Sequence, residues 1–164
     1  MRLMLPSARH AFHAASIVFA VAALAAAAPA ARAAEMAWTA TSYLTRMDQS
    51  TGEFARRGLA MFKDGEVVPF RIEGKITSSE GNAQSYRTKI VYTFEDGSTL
   101  VQEGEGRAER QSAARNTQTG TGRFTAGTGR WEGVSGSTSS VGKGLTPYGD
   151  TFTEFKAEYS LPAK

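Results

Sequence analysis

Cysteine is absent from the chain, and both histidines, His10 and His13, lie within its first 34 residues. The rest of the chain therefore has no thiol, no imidazole base and no nitrogen or sulfur ligand of the kind that zinc and copper prefer. Ser-His-Asp and Cys-His catalysis are excluded there for the same reason. The calcium-loop motif of EF-hands is also missing, so we predict no metal site and no cofactor.

The N-terminal segment differs in composition from the rest of the chain. An apolar run over 14–28 follows a basic start and leads to the small-residue sequence A-R-A at 31–33. This order of features is typical of a secretory signal peptide. A transmembrane anchor is the alternative, but it needs about 20 apolar residues. We therefore predict a signal peptide over 1–34, cleaved after Ala33 or Ala34, and a periplasmic or secreted protein of bacterial type.

Charge is balanced over the predicted domain, residues 35–164. The chain has 19 Lys and Arg against 16 Asp and Glu, but Arg2, Arg9 and Arg32 belong to the predicted leader, which has no acidic residue. That leaves 16 basic and 16 acidic residues in the domain. Nucleic-acid binding requires a basic surface that displaces counterions, so we predict no nucleic-acid partner. Without disulfides, the domain has to be stabilised by its hydrophobic core alone.

The domain is predicted to be all-β. Runs of about ten residues with strand character are separated by Gly, Asp, Asn and Ser, which is typical of a sandwich or barrel. Convincing helical periodicity is lacking throughout. The predicted strands cover 37–46, 53–62, 66–77, 84–94, 98–109, 114–124, 133–142 and 151–161.

Strand register is best defined between positions 68 and 108. Even positions there are mostly apolar or small, and odd positions are mostly charged or polar, which indicates half-buried strands. A three-residue turn at 95–97, with Gly97 at positive φ, keeps the two faces separate and sets Lys89 opposite Glu103. A two-residue turn would mix the faces, so we predict the three-residue turn.

A second turn of the same type, at 63–65, leaves an apolar patch on the outer face of the sheet. Two interpretations remain open: the patch is a subunit contact in a homo-oligomer, or the N-terminal strand or a loop covers it. The patch comprises Leu59, Met61, Val67 and Pro69.

A glycine-rich segment spans 120–136, and the sequence G-T-G-R followed by an aromatic residue occurs in it twice. A phosphate-binding loop would follow a strand and open a helix, whereas nothing helical follows here. The local interpretation is a set of tight turns and bulges, with Phe124 and Trp131 anchoring the glycines to the core.

The stretch GTGRWEGVSGS at 127–137 resembles the G-T-G-x-aromatic-x-G-x-x-G stretch of allene oxide cyclase-like and dirigent-like barrels, including small exported bacterial proteins with that barrel. The resemblance implies a single eight-stranded antiparallel, calycin-like β-barrel with an apolar central cavity, in proteins that are often dimeric or trimeric. The catalytic residues of the plant enzymes do not match positions in this sequence, so no catalytic residue is assigned.

Inward positions of the fourth and fifth predicted strands suggest a pocket for a small apolar molecule. Gly104 and Gly106 place no side chain inside, beside aromatic and polar residues of the neighbouring strand. The alternative is that these glycines mark barrel corners where the strand coils sharply. The predicted ligand-binding residues are Phe70, Tyr86, Ile90, Tyr92, Gln102, Gly104 and Gly106.

Three functional classes follow from this sequence. A binding protein for a small hydrophobic molecule is favoured over an enzyme. A cofactor-free isomerase or cyclase would need a carboxylate or tyrosine inside the barrel, and Glu66 and Glu154 are the carboxylates whose direction the pattern does not define. The third class is an oligomeric envelope or partner-binding protein with a filled core.

Overall fold

The computed structural model describes residues 33–147 and 149–163. They form one closed antiparallel barrel of eight strands in chain order, with β1 also paired to β8, which confirms the predicted fold class. Most of the predicted signal peptide lies outside the described residues, so that part of the domain division stays a prediction. The strands are β1 (Ala34–Met47), β2 (Glu53–Phe62), β3 (Val67–Glu80), β4 (Ala83–Thr93), β5 (Thr99–Arg110), β6 (Asn116–Gly127), β7 (Ser135–Gly144) and β8 (Thr151–Ser160), with a 3₁₀ turn at Gly129–Trp131.

The predicted register between β4 and β5 is confirmed. Phe94 N–H donates to the Ser98 carbonyl at 2.9 Å, and Gly97 has a φ of 80°. Lys89 pairs with Glu103 on the outer face. Even-numbered residues of both strands therefore face the interior, and the charged odd-numbered residues are exposed. In the described ranges, no helix is long and apolar enough to span a membrane.

The apolar patch lies on the outer face of β2 and β3, as predicted. The turn at 63–65 has the same hydrogen bonds as the turn before β5. Leu59, Met61 and Val67 are 49%, 40% and 57% exposed, so neither β1 nor a loop of the described chain covers them. A subunit contact at this patch stays a prediction.

One half of the barrel interior, here called the packed half, is filled with aromatic side chains. It lies toward the β2–β3, β4–β5 and β6–β7 connections. The Trp38 ring stacks on Phe155 with a centroid distance of 4.9 Å and on Phe62 at 5.5 Å. Phe124 and Trp131 are buried here, which confirms their predicted anchoring role. The other buried large side chains of this half are Val68, Tyr92, Phe94, Leu100 and Val134.

Arg130 closes the end of the packed half. Its Nη2 donates to the Glu66 carboxylate at 2.5 Å, and its Nε lies 3.9 Å from the Asp96 carboxylate. The guanidinium also lies 4.2 Å from the centre of the Phe94 ring. One side chain of the β6–β7 connection thus joins the two neighbouring turns across the end of the barrel.

Inward glycines in the sheet are covered by aromatic rings or by neighbouring backbone. A β-carbon at Gly106 would lie 2.6 Å from Cζ of Tyr86, the residue paired with it. A β-carbon at Gly104 would collide with the Thr121 carbonyl and lie 2.9 Å from Cα of Gly122. These two glycines therefore permit ring packing and close strand approach. Gly58 with Phe70 and Gly74 with Phe54 repeat the glycine–aromatic pairing.

Candidate functional site

The other half of the interior, here called the cavity half, contains a cavity of about 240 Å³. It lies toward the β1–β2, β3–β4, β5–β6 and β7–β8 connections. At about 30 Å³ per water molecule, this volume corresponds to about eight waters or a compound of about eight to ten non-hydrogen atoms. The apolar part of its lining includes Leu44, Phe54, Phe70, Ile72, Ile76, Ile90 and Phe155, and the polar part includes Ser42, Arg56, Gln84, Tyr86, Thr88, Gln102, Gln118, Ser140, Thr151 and Thr153.

Five of the seven predicted ligand-binding residues line this cavity, and two do not. Tyr92 is fully buried below the cavity floor, and Gly106 lies beneath the Tyr86 ring. The predicted reason for a pocket, the missing side chains of Gly104 and Gly106, does not account for the space, because the β6 backbone covers Gly104 and the Tyr86 ring covers Gly106. Small polar side chains line the cavity at other inward positions, among them Ser42, Thr88 and Ser140. The five lining residues are Phe70, Tyr86, Ile90, Gln102 and Gly104.

Arg56 is a lining residue that the sequence analysis did not select. It occupies an inward position of β2, between Phe54 and Gly58 in the alternating pattern. The sequence signal that could have identified Arg56 is a charged residue at an inward strand position, because such positions are normally apolar or small.

Arg56 is held by hydrogen bonds to β1 and to the residues that precede and begin β8. Nε donates to Ser42 Oγ at 2.9 Å, and Nη2 lies 3.3 Å from the Ser42 carbonyl. Nη2 also donates to the Gly149 carbonyl and to Thr151 Oγ1, the latter at 3.2 Å. Ser42 Oγ and Thr151 Oγ1 are themselves 2.8 Å apart. These contacts fix the plane of the guanidinium at the cavity wall.

The charge of Arg56 is only partly balanced by the protein. Burial lowers the pKa of Arg56, and the charge of Asp150 opposes this shift. Asp150 accepts a hydrogen bond from Thr146 at 2.8 Å and forms no ion pair with Arg56. Glu105 contributes to the cavity lining, but it is exposed in an outward position. Arg56 therefore supplies the formal charge at the inner surface of the described cavity.

A hydrogen-bonded group of three side chains lies at and beneath the cavity floor, and of the three only Gln102 lines the cavity. Tyr92 donates its hydroxyl to Gln102 Oε1 at 3.2 Å, and Gln102 Nε2 donates to Thr138 Oγ1 at 2.9 Å. Burial raises the pKa of Tyr92 far above its ordinary value, so the hydroxyl stays a donor. Gln102 keeps a second amide hydrogen that these two bonds do not use.

Glu66 and Glu154, whose side-chain direction the sequence pattern did not define, both lie outside the barrel interior. Glu66 pairs with Arg130 at the closed end, and Glu154 is exposed on β8. Within residues 33–147 and 149–163, no Asp or Glu is buried, and no three His, Cys, Asp or Glu side chains are grouped as metal ligands. The acid–base group at the cavity is the Tyr86 phenol, whose pKa burial raises. A raised phenol pKa makes a poor general base near neutral pH.

Comparison with known proteins gives a fold-level likeness. No family model matches the chain, and no curated protein matches it. A solved structure of the pterocarpan synthase dirigent protein GePTS1 is similar, with 12% sequence identity and a TM-score of 0.49 over 80% of this chain and 92% of that chain. At this level of sequence identity, the similarity concerns the barrel fold and says nothing about activity. The link to allene oxide cyclases and the bacterial origin stay predictions.

Proposed function

We propose that this protein, after export to the periplasm or the medium, binds a small and largely apolar molecule in the barrel cavity. The proposal rests on the contrast between the packed half and the cavity half of the barrel interior. One half is packed with aromatic rings, while the other contains a cavity of about 240 Å³ with an apolar lining and a few polar groups. Cavities of this composition are typical of ligand sites, although this one is smaller than most drug-sized pockets.

Apolar lining residues supply the driving force for such binding. Phe54, Ile72 and Ile76 lie around the cavity and are half-buried, so part of their surface remains available to a ligand. Covering apolar surface contributes about 25 cal/mol per Å². Polar groups such as Gln102 and Tyr86 would then orient the ligand.

A larger side chain in place of Thr88 should fill the cavity. Thr88 lies on β4 between Gly74 and Gly104 in register and lines the cavity. Thr88→Phe places a ring in that space, whereas a larger residue at Gly104 would collide with the backbone of β6. Thr93→Phe is the matched control, because Thr93 is exposed at the end of the same strand.

The experiment measures thermal stabilisation by a panel of apolar compounds of about six to twelve non-hydrogen atoms. A compound at 100 times its Kd should stabilise the fold by about 2.7 kcal/mol. The wild type and Thr93→Phe should both respond, and Thr88→Phe should not. The proposal fails if stabilisation persists in Thr88→Phe, or if the wild type responds to no compound of the panel.

A further inference from the structure

We propose that the ligand carries a carboxylate and that Arg56 binds it, so that the cavity selects small amphiphilic monocarboxylic acids over neutral compounds of the same size. This inference rests on the proposed binding function and specifies its ligand class. The geometry of Arg56, the charges around it and the Tyr86 hydroxyl at the same cavity support it.

The hydrogen bonds of Arg56 leave part of its guanidinium available at the cavity wall. Nε and Nη2 are bonded to Ser42, Gly149 and Thr151. Nη1 has no acceptor among the described residues, and Arg56 lines the cavity. A guanidinium has five N–H donors in a fixed plane. The bonds already formed hold Nη1 in a preset orientation, so its free hydrogens can donate a charge-assisted hydrogen bond to a carboxylate oxygen.

The charges around Arg56 favour the binding of an anion beside its guanidinium. A buried or half-buried charge is costly unless it is paired and hydrogen-bonded. Asp150 offsets the charge of Arg56 only from beyond ion-pair distance. The inner cavity wall contributes no further acidic side chain in the described chain, because Glu105 points outward. A ligand carboxylate would pair with Arg56 without competing against a protein carboxylate.

Tyr86 supplies a second donor at the same cavity, and its phenol interacts electrostatically with Arg56. Its ring is fixed over Gly106 and packs edge-on against Phe54 with a centroid distance of 6.3 Å. Its hydroxyl has no hydrogen-bond partner in the described part of the chain, and the residue lines the cavity. Burial raises the pKa of Tyr86 while the charge of Arg56 lowers it in part. The hydroxyl is therefore protonated at neutral pH and able to donate to an acid bound at Arg56.

The apolar part of such a ligand would extend toward the cavity floor. Phe70, Ile90 and Phe155 lie there and are buried. The cavity volume corresponds to about eight to ten non-hydrogen atoms, which limits the tail to roughly medium chain length or one ring. Octanoic acid fits these limits, and 1-octanol is a neutral probe of the same length.

The test compares octanoate and 1-octanol at neutral pH by isothermal titration calorimetry. Arg56→Met should weaken octanoate binding by roughly 10- to 100-fold, the effect of losing a charged hydrogen-bond donor, and should leave 1-octanol binding unchanged. Arg57→Met is the control, because Arg57 is the exposed neighbour on the same strand; it removes one positive charge from the outer face and should change neither probe.

The outcomes separate the two proposals. If wild type binds both probes and Arg56→Met affects them equally, the carboxylate inference is overturned and the proposed binding function stands. If neither probe binds at about millimolar concentration, the carboxylate inference fails, and the compound panel described above decides the proposed binding function separately. Should Arg56→Met not fold, Arg56→Lys and Tyr86→Phe replace it: each should weaken octanoate several-fold and leave 1-octanol unchanged, and wild-type octanoate affinity in both variants would refute the inference.

Discussion

The packed half and the cavity half of this barrel share the same strands and the same alternation, yet only one is filled. Strand number and stagger fix the width of a closed barrel, so the difference has to come from the inward side chains. Trp38, Phe62 and Tyr92 occupy inward positions of the packed half, whereas Ser42 and Thr88 occupy inward positions of β1 and β4 in the cavity half. The comparison teaches that a barrel of this size gains a ligand site by exchanging rings for small polar residues along its strands.

The largest expected effect compares truncations in the two halves. Trp38→Ala removes a fully packed ring from between Phe155 and Phe62, and we expect it to lower the free energy of unfolding by about 3–5 kcal/mol. Phe54→Ala should cost only about 1–2 kcal/mol, because Phe54 is half-buried at the cavity. Urea denaturation measures both values. Equal losses would contradict the distinction between the halves.

An intermediate effect concerns alkaline stability. The folded-state pKa values of Tyr92 and Tyr86 lie above the ordinary value of 10.0, in both cases mainly through burial. Their stabilising contribution is therefore complete below about pH 10 and is lost as pH rises toward the folded-state pKa values. Tyr92→Phe should flatten the alkaline loss of stability more than Tyr86→Phe does, because Tyr92 is fully buried. Urea midpoints measured from neutral pH to about pH 11 test this, and a larger effect of Tyr86→Phe would reverse the assignment.

The smallest effect concerns the outer surface of the cavity half. Lys89 Nζ lies 3.9 Å from the Glu103 carboxylate, and both side chains are about half exposed. Such pairs contribute about 0–1 kcal/mol. A double-mutant cycle with Lys89→Ala and Glu103→Ala should therefore give a coupling energy below about 1 kcal/mol. A much larger coupling would show that the outer face, and not only the interior, distinguishes this half.

The strands and their register could be predicted because both depend on local patterns. Alternation with a period of two identifies the inward face, and the face-matching turn at Gly97 fixes the pairing of β4 with β5. All eight predicted strands lie within a few residues of the observed ones. The pairing of β4 with β5 depends only on residues that are close together in the sequence, so it can be predicted without the structure.

The cavity could be predicted only in part, because its lining comes from strands that are distant in the sequence. Arg56 on β2 is bonded to Ser42 on β1 and to Thr151 on β8, and no local pattern indicates that these residues meet. Gly106 illustrates a second reason. The sequence shows a missing side chain, but whether a neighbouring ring such as that of Tyr86 fills the space depends on side-chain packing.

Closure of the barrel by β1 and β8 has a consequence for how the chain folds. Seven of the eight strand pairings join consecutive strands, whereas the contact of Ser42 with Thr151 spans 109 positions. Closing so long a loop costs entropy before the new contacts compensate for it. We expect the docking of β8 to be a late and slow step, and until it occurs the backbone edges of β1 and β7 stay available to other chains. The Trp38–Phe155 stack lies across this seam, so it would report when the barrel has closed.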